Sequence, residues 1–192
     1  MKKNKLKIKN WKLKIGDFRR GMTYVELIVV LGIFAVMSSI VMYNYVEFQA
    51  KVDIKNLASD IALKIVEAQK SSLSGNLPPD YYSTGGYLPD WKPSYGVHFD
   101  ASNQKNFVYF ADKYPDNTYN LTTDSWGDTI TINQNAYISG VQCGGLSVVD
   151  IVFRRPDSRA QMTCDAQITV SSPRSASTAT ITIYSSGRIQ VN

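Results

Sequence analysis

A single carboxylate, Glu26, stands directly ahead of residues 27–46, twenty residues without a charge. An acidic residue inside a membrane span costs on the order of 3 kcal/mol on insertion scales, so a paired or functional role is the default reading of one placed near its start. The available cation would be a new α-amino group if the chain were cut after Gly21. Met22 would then carry that amine four residues before Glu26, about one helical turn away. An isolated chain satisfies such a contact poorly, whereas a neighbouring chain can bring its amine to Glu26 in a stack. The chemistry such a cut would open is a charge contact between neighbouring chains.

The other reactive side chains form no catalytic set. There is one histidine, His98, with no Ser, Cys or carboxylate pattern beside it, and it reads as structural. Histidine-rich metal sites and serine triads lack material, and no glycine-rich phosphate loop is present. Cys143 and Cys164 lie 21 residues apart without the C-x-x-C spacing of a redox or metal site. They read either as a disulfide closing a loop around residues 148–153 or as two separate thiols. Asp112, Asp116, Asp124 and Asp128 supply oxygens of the type calcium prefers. Turn chemistry accounts for the same residues, and no EF-hand spacing is present, so the expectation is no metal and no cofactor, with calcium as the weaker alternative.

Charge places these groups. The chain has 192 residues and a formal charge of +5, but nine Lys and Arg precede residue 21 and only Asp17 opposes them, giving that segment +8. The rest, with 12 basic and 15 acidic residues, carries −3, which weakens a nucleic-acid reading drawn from the total. A basic flank before a twenty-residue apolar run is the positive-inside pattern of a membrane span whose N-terminal side is cytoplasmic. A secretory signal would have a shorter apolar run and a small-residue cleavage site after it.

After the span, Ile54, Leu57, Ile61, Ile65 and Ala68 recur at three- and four-residue steps between charged residues, the pattern of an amphipathic helix. No proline interrupts residues 22–77, so span and amphipathic segment are expected to form one helix ending near Ser74-Gly75. Beyond Pro79, short β-rich runs at 95–99, 107–111, 129–133, 148–153, 168–171, 179–184 and 188–191 predict a sheet domain that receives the apolar stripe. Ile181 and Ile183, then Ile189 and Val191, alternate with polar residues around Ser185-Ser186-Gly187 as a hairpin. Residues 171–180 (SSPRSASTAT) read as a mobile loop. Tyr81, Tyr82, Tyr87, Trp91 and Tyr95 are expected to pack the helix end against the sheet.

The segment RRGMTYVELIVVLGIFAVMSSI resembles the processing and assembly signature of type IV pilins and type II secretion pseudopilins. The resemblance implies a prepilin-type precursor with a pilin-like α+β fold: a leader at residues 1–21, a long helix at 22–73 spanning the membrane at 27–46, and a β-rich domain at 80–192. It implies that a prepilin peptidase cuts after Gly21 and methylates the amine of Met22, and that Glu26 serves filament assembly with other pilin subunits. Met42-Tyr43-Asn44 stand where many major pilins have a helix-kinking proline. SYGVHFD, VDIVFRRPDS and ITIYSSGRIQV resemble the β-domain of GspH/FimT-like minor pilins. The implied role is a non-enzymatic minor subunit near a filament tip, single-pass in the bacterial inner membrane with its C-terminal domain outside the cytoplasm, in protein secretion or pilus formation. The alternative is a DNA-binding minor pilin of an uptake system, using Arg188 and Arg174 among the C-terminal arginines, although Gln190 stands where DNA-binding relatives tend to have a second basic residue.

Overall fold

The computed structural model describes residues 21–82, 91–124, 127–157 and 159–192. One helix, α1 (Tyr24–Ser74), precedes β1 (Ser94–Asp100), β2 (Asn106–Ala111), β3 (Gly127–Thr131), β4 (Tyr137–Gln142), β5 (Val148–Arg154), β6 (Ala166–Ser172), β7 (Ser175–Ile183) and β8 (Ile189–Val191). The chain divides into two compact units, one ending at Val41 and the other covering Met42–Asn192, and α1 runs through both.

In the first unit α1 begins after Thr23, whose Oγ1 accepts the Glu26 N–H at 3.3 Å. This satisfies one of the four orphan amides of a helix start, and T-x-x-E is the sequence form of a capping box. The side chains that follow, from Leu27 through Val41, are exposed and, apart from Ser38 and Ser39, apolar. α1 is long and apolar enough to cross a membrane.

In the second unit α1 buries Ala50, Ile54, Ala58, Ile61, Ile65, Ala68 and Ser72, a stripe at four- and three-residue steps. The helix stops at Gly75, whose φ of 71° suits a residue without Cβ. The Gly75 N–H bonds Ser72 O and the Asn76 N–H bonds Ser71 O, both at 3.2 Å, which closes the last turn as a Schellman motif.

The strands form two antiparallel sheets, ordered β3-β2-β1-β5 and β4-β6-β7-β8. Alternation fixes their faces: Tyr95, Val97 and Phe99 of β1 join Ile54, Ile61 and Ile65 in the core, as do Ile168, Ile181 and Ile183 of the second sheet. Each fully buried Ile or Phe stabilises the fold by roughly 1.5–3 kcal/mol relative to exposure. Ser72 Oγ donates to Pro93 O at 3.0 Å and Gln69 Nε2 to Gly187 O at 3.4 Å, fixing the helix against both sheets.

The hairpin at the C-terminus has the expected partners, Ile181 opposite Val191 and Ile183 opposite Ile189. Three expectations are corrected. Residues 171–180 are not a mobile loop: Ser171 and Ser172 end β6, and β7 starts at Ser175, with Thr178 opposite Ser171 and Thr180 opposite Thr169. Small hydroxylated side chains there meet cross-strand partners, a tertiary context that outweighs the loop-like composition. β4 was not anticipated, because Gly140 breaks the alternation of YISGVQ at a register shift between Ile138 and Gly140. The strand expected at 129–133 lies at Gly127–Thr131.

Candidate functional site

The Gly21-Met22 bond lies outside regular structure, two residues before α1 begins, and both residues are exposed. A peptidase needs a backbone free of helix hydrogen bonds and open to solvent, and this exposed stretch before α1 is both. Nothing lies within 4 Å of a Cβ placed on Gly21. Glu26 occupies the first turn of α1, where the helix dipole favours a negative charge. It therefore has a second role that the span-cost argument missed: its backbone amide completes the cap on Thr23. The signal was readable as Thr23 three residues before Glu26. Residues 1–20, with the leader charge and Arg19-Arg20, lie outside the described residues, as does Tyr87.

Elsewhere the sequence candidates fall apart spatially. Arg174 sits in the β6–β7 turn and Arg188 in the β7–β8 turn, at opposite ends of a nine-residue strand that spans roughly 30 Å. Arg188 lies over the Tyr184 ring, 4.0 Å from its centroid. Arg154 donates to Asn117 Oδ1 at 3.1 Å and approaches Asp112 Oδ2 at 3.8 Å, and Arg159 pairs with Asp157 at 3.6 Å. The structure therefore does not join Arg174 and Arg188 in one basic patch of the kind that counterion release needs.

Of the four aspartates, Asp112, Asp116 and Asp124 lie near enough to interact through their charges, and Asp128 stands on β3. Asp112 and Asp124 are buried at the two ends of the 112–124 segment, while Asp116 and Asp128 are exposed. Asp124 accepts the Lys113 N–H at 3.1 Å and the Asn120 N–H at 2.8 Å, one on each oxygen. Asp116 accepts the Thr118 N–H at 3.0 Å, an Asx turn. Burial, together with the Asp124 charge, pushes the Asp112 carboxyl up to about 7, against the opposing pull of the Asn117 N–H and Arg154. Burial also raises Asp124. Among the described residues, no three His, Cys, Asp or Glu side chains are grouped to hold a metal.

Between those aspartates, the 112–124 segment covers the outer face of the first sheet. The Tyr119 ring packs 5.0 Å from Phe110 and 4.8 Å from His98. His98 has a carboxylate partner that no local pattern announces. Strand pairing sets it opposite Asp150, and Nδ1 lies 2.7 Å from Asp150 Oδ1. A residue 52 positions away gives no local signal. No Ser or Cys completes a nucleophilic set with this pair among the described contacts.

Cys143 and Cys164 are joined as a disulfide, Cα–Cα 5.5 Å, between the end of β4 and the approach to β6. Trp91 Nε1 donates to Asp112 O at 2.9 Å and the Tyr95 hydroxyl to Asn76 O at 2.8 Å. Tyr81 meets Tyr82 edge-to-face at 5.1 Å and lies tilted against Trp91 at 5.9 Å, and Tyr82 remains exposed. Compared with protein-family models, with curated proteins and with solved structures, the chain finds no match in any of the three.

Proposed function

We propose that this chain is a minor subunit of the type IV pilin and type II secretion pseudopilin class, made as a membrane precursor and cut after Gly21. The observation that carries the reading is a reachable Gly21-Met22 bond directly ahead of an exposed apolar helix whose first turn holds Glu26. A helix with an apolar lower half and an upper half seated on antiparallel sheets supports it further. The new Met22 amine, methylated by the peptidase, meets Glu26 of a neighbouring subunit and sets the register of the stack. The apolar helix fills the filament interior, and the sheets present the outer surface. The chain resides in the bacterial inner membrane with residues 1–21 in the cytoplasm until a separate ATPase drives its extraction.

The test is the intact mass of the protein from membranes with and without a co-expressed prepilin peptidase. Loss of residues 1–21 plus one methyl group is the expected result, and an uncut chain overturns the proposal. The DNA-uptake reading loses support from the separation of Arg174 and Arg188 along β7. A mobility shift of DNA at low salt and micromolar protein would restore it.

A further inference from the structure

The first sheet ends at β3, whose outer backbone edge has no neighbouring strand. The Ile132 N–H donates to Lys105 O at 2.7 Å, and Thr131 lies opposite Asn106. That register turns the amides and carbonyls of Asp128, Ile130 and Ile132 towards β2 and those of Gly127, Thr129 and Thr131 away from the sheet. Among the described residues, no hydrogen bond reaches the outward groups. Natural sheets close such edges with lysine, proline or a bulge. β3 (GDTIT) has none of these, and its pairing with β2 runs without a shift.

The next strand position, about 4.8 Å beyond β3, opens onto a groove of about 490 Å³ between that edge and α1. Leu57 and Ile130 give the groove an apolar surface, and Leu63 is 65% exposed on its helix wall. On the same wall Asp53 lies about 6 Å before Leu57 along the helix axis and Asp60 about 4.5 Å after it. Neither acid forms an ion pair among the described residues, whereas Lys64, which also lines the groove, is held by Glu67 at 2.9 Å. A third carboxylate, Asp128, is exposed on β3 opposite Tyr109, over whose ring Lys64 of α1 stands at 5.9 Å, so it belongs to the face turned towards the helix. We infer that this position receives an extended segment of a different protein, which pairs with the β3 edge and turns a cation–apolar–cation row towards α1. Its apolar residue stands opposite Ile130 and beside Leu57, one cation stands opposite Asp128, and the two cations meet Asp53 and Asp60. Cations four strand residues apart are separated by about 13 Å against about 10 Å for the two acids, a difference that flexible lysine stems take up. The row reads the same from both ends, so it suits either strand direction. A second copy of β3 is the wrong occupant, because it would bring another Asp128 to a margin that is already acidic. Every group involved lies in the second unit, so the inference does not depend on the cut after Gly21.

The experiment titrates the full chain in a non-ionic detergent with three capped peptides. The probe is Thr-Lys-Thr-Val-Thr-Lys-Thr. In the second peptide both lysines are replaced by glutamate, and in the third the two threonines beside the valine are N-methylated, which removes the amides that would bond the β3 edge. The lysine peptide is expected to bind roughly tenfold or more tightly than either of the others. At saturation it should slow amide exchange at Thr129 and Thr131, whose N–H groups point outward, by a similar factor. Asp53→Lys with Asp60→Lys, checked for folding by a melting curve, should remove the preference for lysine over glutamate. No binding up to millimolar lysine peptide, equal binding of the lysine and N-methylated peptides, unchanged exchange at Thr129 and Thr131, or a lysine preference that survives both substitutions each overturn the inference. The N-methyl and exchange measurements use the unaltered chain, so they decide the matter without the double variant.

Discussion

The Phe110 ring lies across Gly96, its partner in the β1–β2 ladder, in the space a side chain would need. A Cβ on Gly96 would fall 2.9 Å from both the Phe110 ring and Ile151 O. Phe110 is fully buried, on the face opposite the helix, under Tyr119. Gly96→Ala therefore has to displace a backbone carbonyl or the ring, an overpacking cost of about 1–3 kcal/mol. Urea unfolding of the variant should show its midpoint shifted down with the slope unchanged. A midpoint equal to wild type would mean that the ring moves freely.

Asp112 gives the stability an unusual pH dependence. Its carboxyl is fully buried and raised to about 7, so the folded state holds a proton that the unfolded chain has lost by about pH 4. Below pH 4 both states are protonated and this group costs nothing. As pH rises from about 4 to about 7 the folded state loses the advantage, and above 7 the buried charge weighs in full. The shift corresponds to at most about 4 kcal/mol. Burial raises Asp124 with the same sign. Asp112→Asn retains an acceptor for the Asn117 N–H and should raise the melting temperature at pH 8 but not at pH 4. A variant that melts lower than wild type at pH 8 would show that the charge is compensated by Arg154.

Calcium should not act at these aspartates. Both Asp124 oxygens already accept backbone amides, and Arg154 stands 3.8 Å from Asp112. A melting temperature unchanged within error by millimolar calcium or by a chelator is the expected outcome, and a rise of several degrees with calcium would contradict it.

Much of the architecture was legible because it rests on local signals. The stripe Ile54, Ile61, Ile65, Ala68 repeats at the helical period, and Ser74-Gly75 announces the stop, so α1 could be placed nearly residue by residue. The C-terminal hairpin was readable from the alternation around Gly187, whose φ is 85°. What escaped depends on partners distant in sequence. β7 extends through Ser175–Thr180 only because β6 lies beside it, and His98 acquires Asp150 only through the β1–β5 register. The N-terminal candidates are contiguous, and for that reason Gly21, Met22 and Glu26 could be named together.

The disulfide should be measurable without a structure. Its 21-residue separation corresponds to a loss of unfolded-state freedom of about 3 kcal/mol in the loop-entropy account. Unfolded, unreduced protein should bind no thiol reagent, and reduction should lower stability by about that amount. Two reactive thiols per chain would contradict the bridge, and an unchanged urea midpoint after reduction would contradict its contribution.

The assembly role proposed for Glu26 predicts a separation of functions. Its side chain is exposed in the first turn of α1, and the cap on Thr23 uses its backbone amide, which any residue supplies. Glu26→Ala should therefore leave the helix and the sheet domain intact and ease membrane insertion by removing an acid. Incorporation into filaments should nevertheless fall roughly tenfold or more, the equivalent of about 1.4 kcal/mol of lost charge contact. Glu26→Gln, which keeps the shape and removes the charge, should fail as well. The ratio of filament-bound to membrane-bound protein measures this directly in cells that express the peptidase. Normal incorporation of the Gln variant would mean that the carboxylate acts by hydrogen bonding alone, and normal incorporation of both would remove Glu26 from the mechanism.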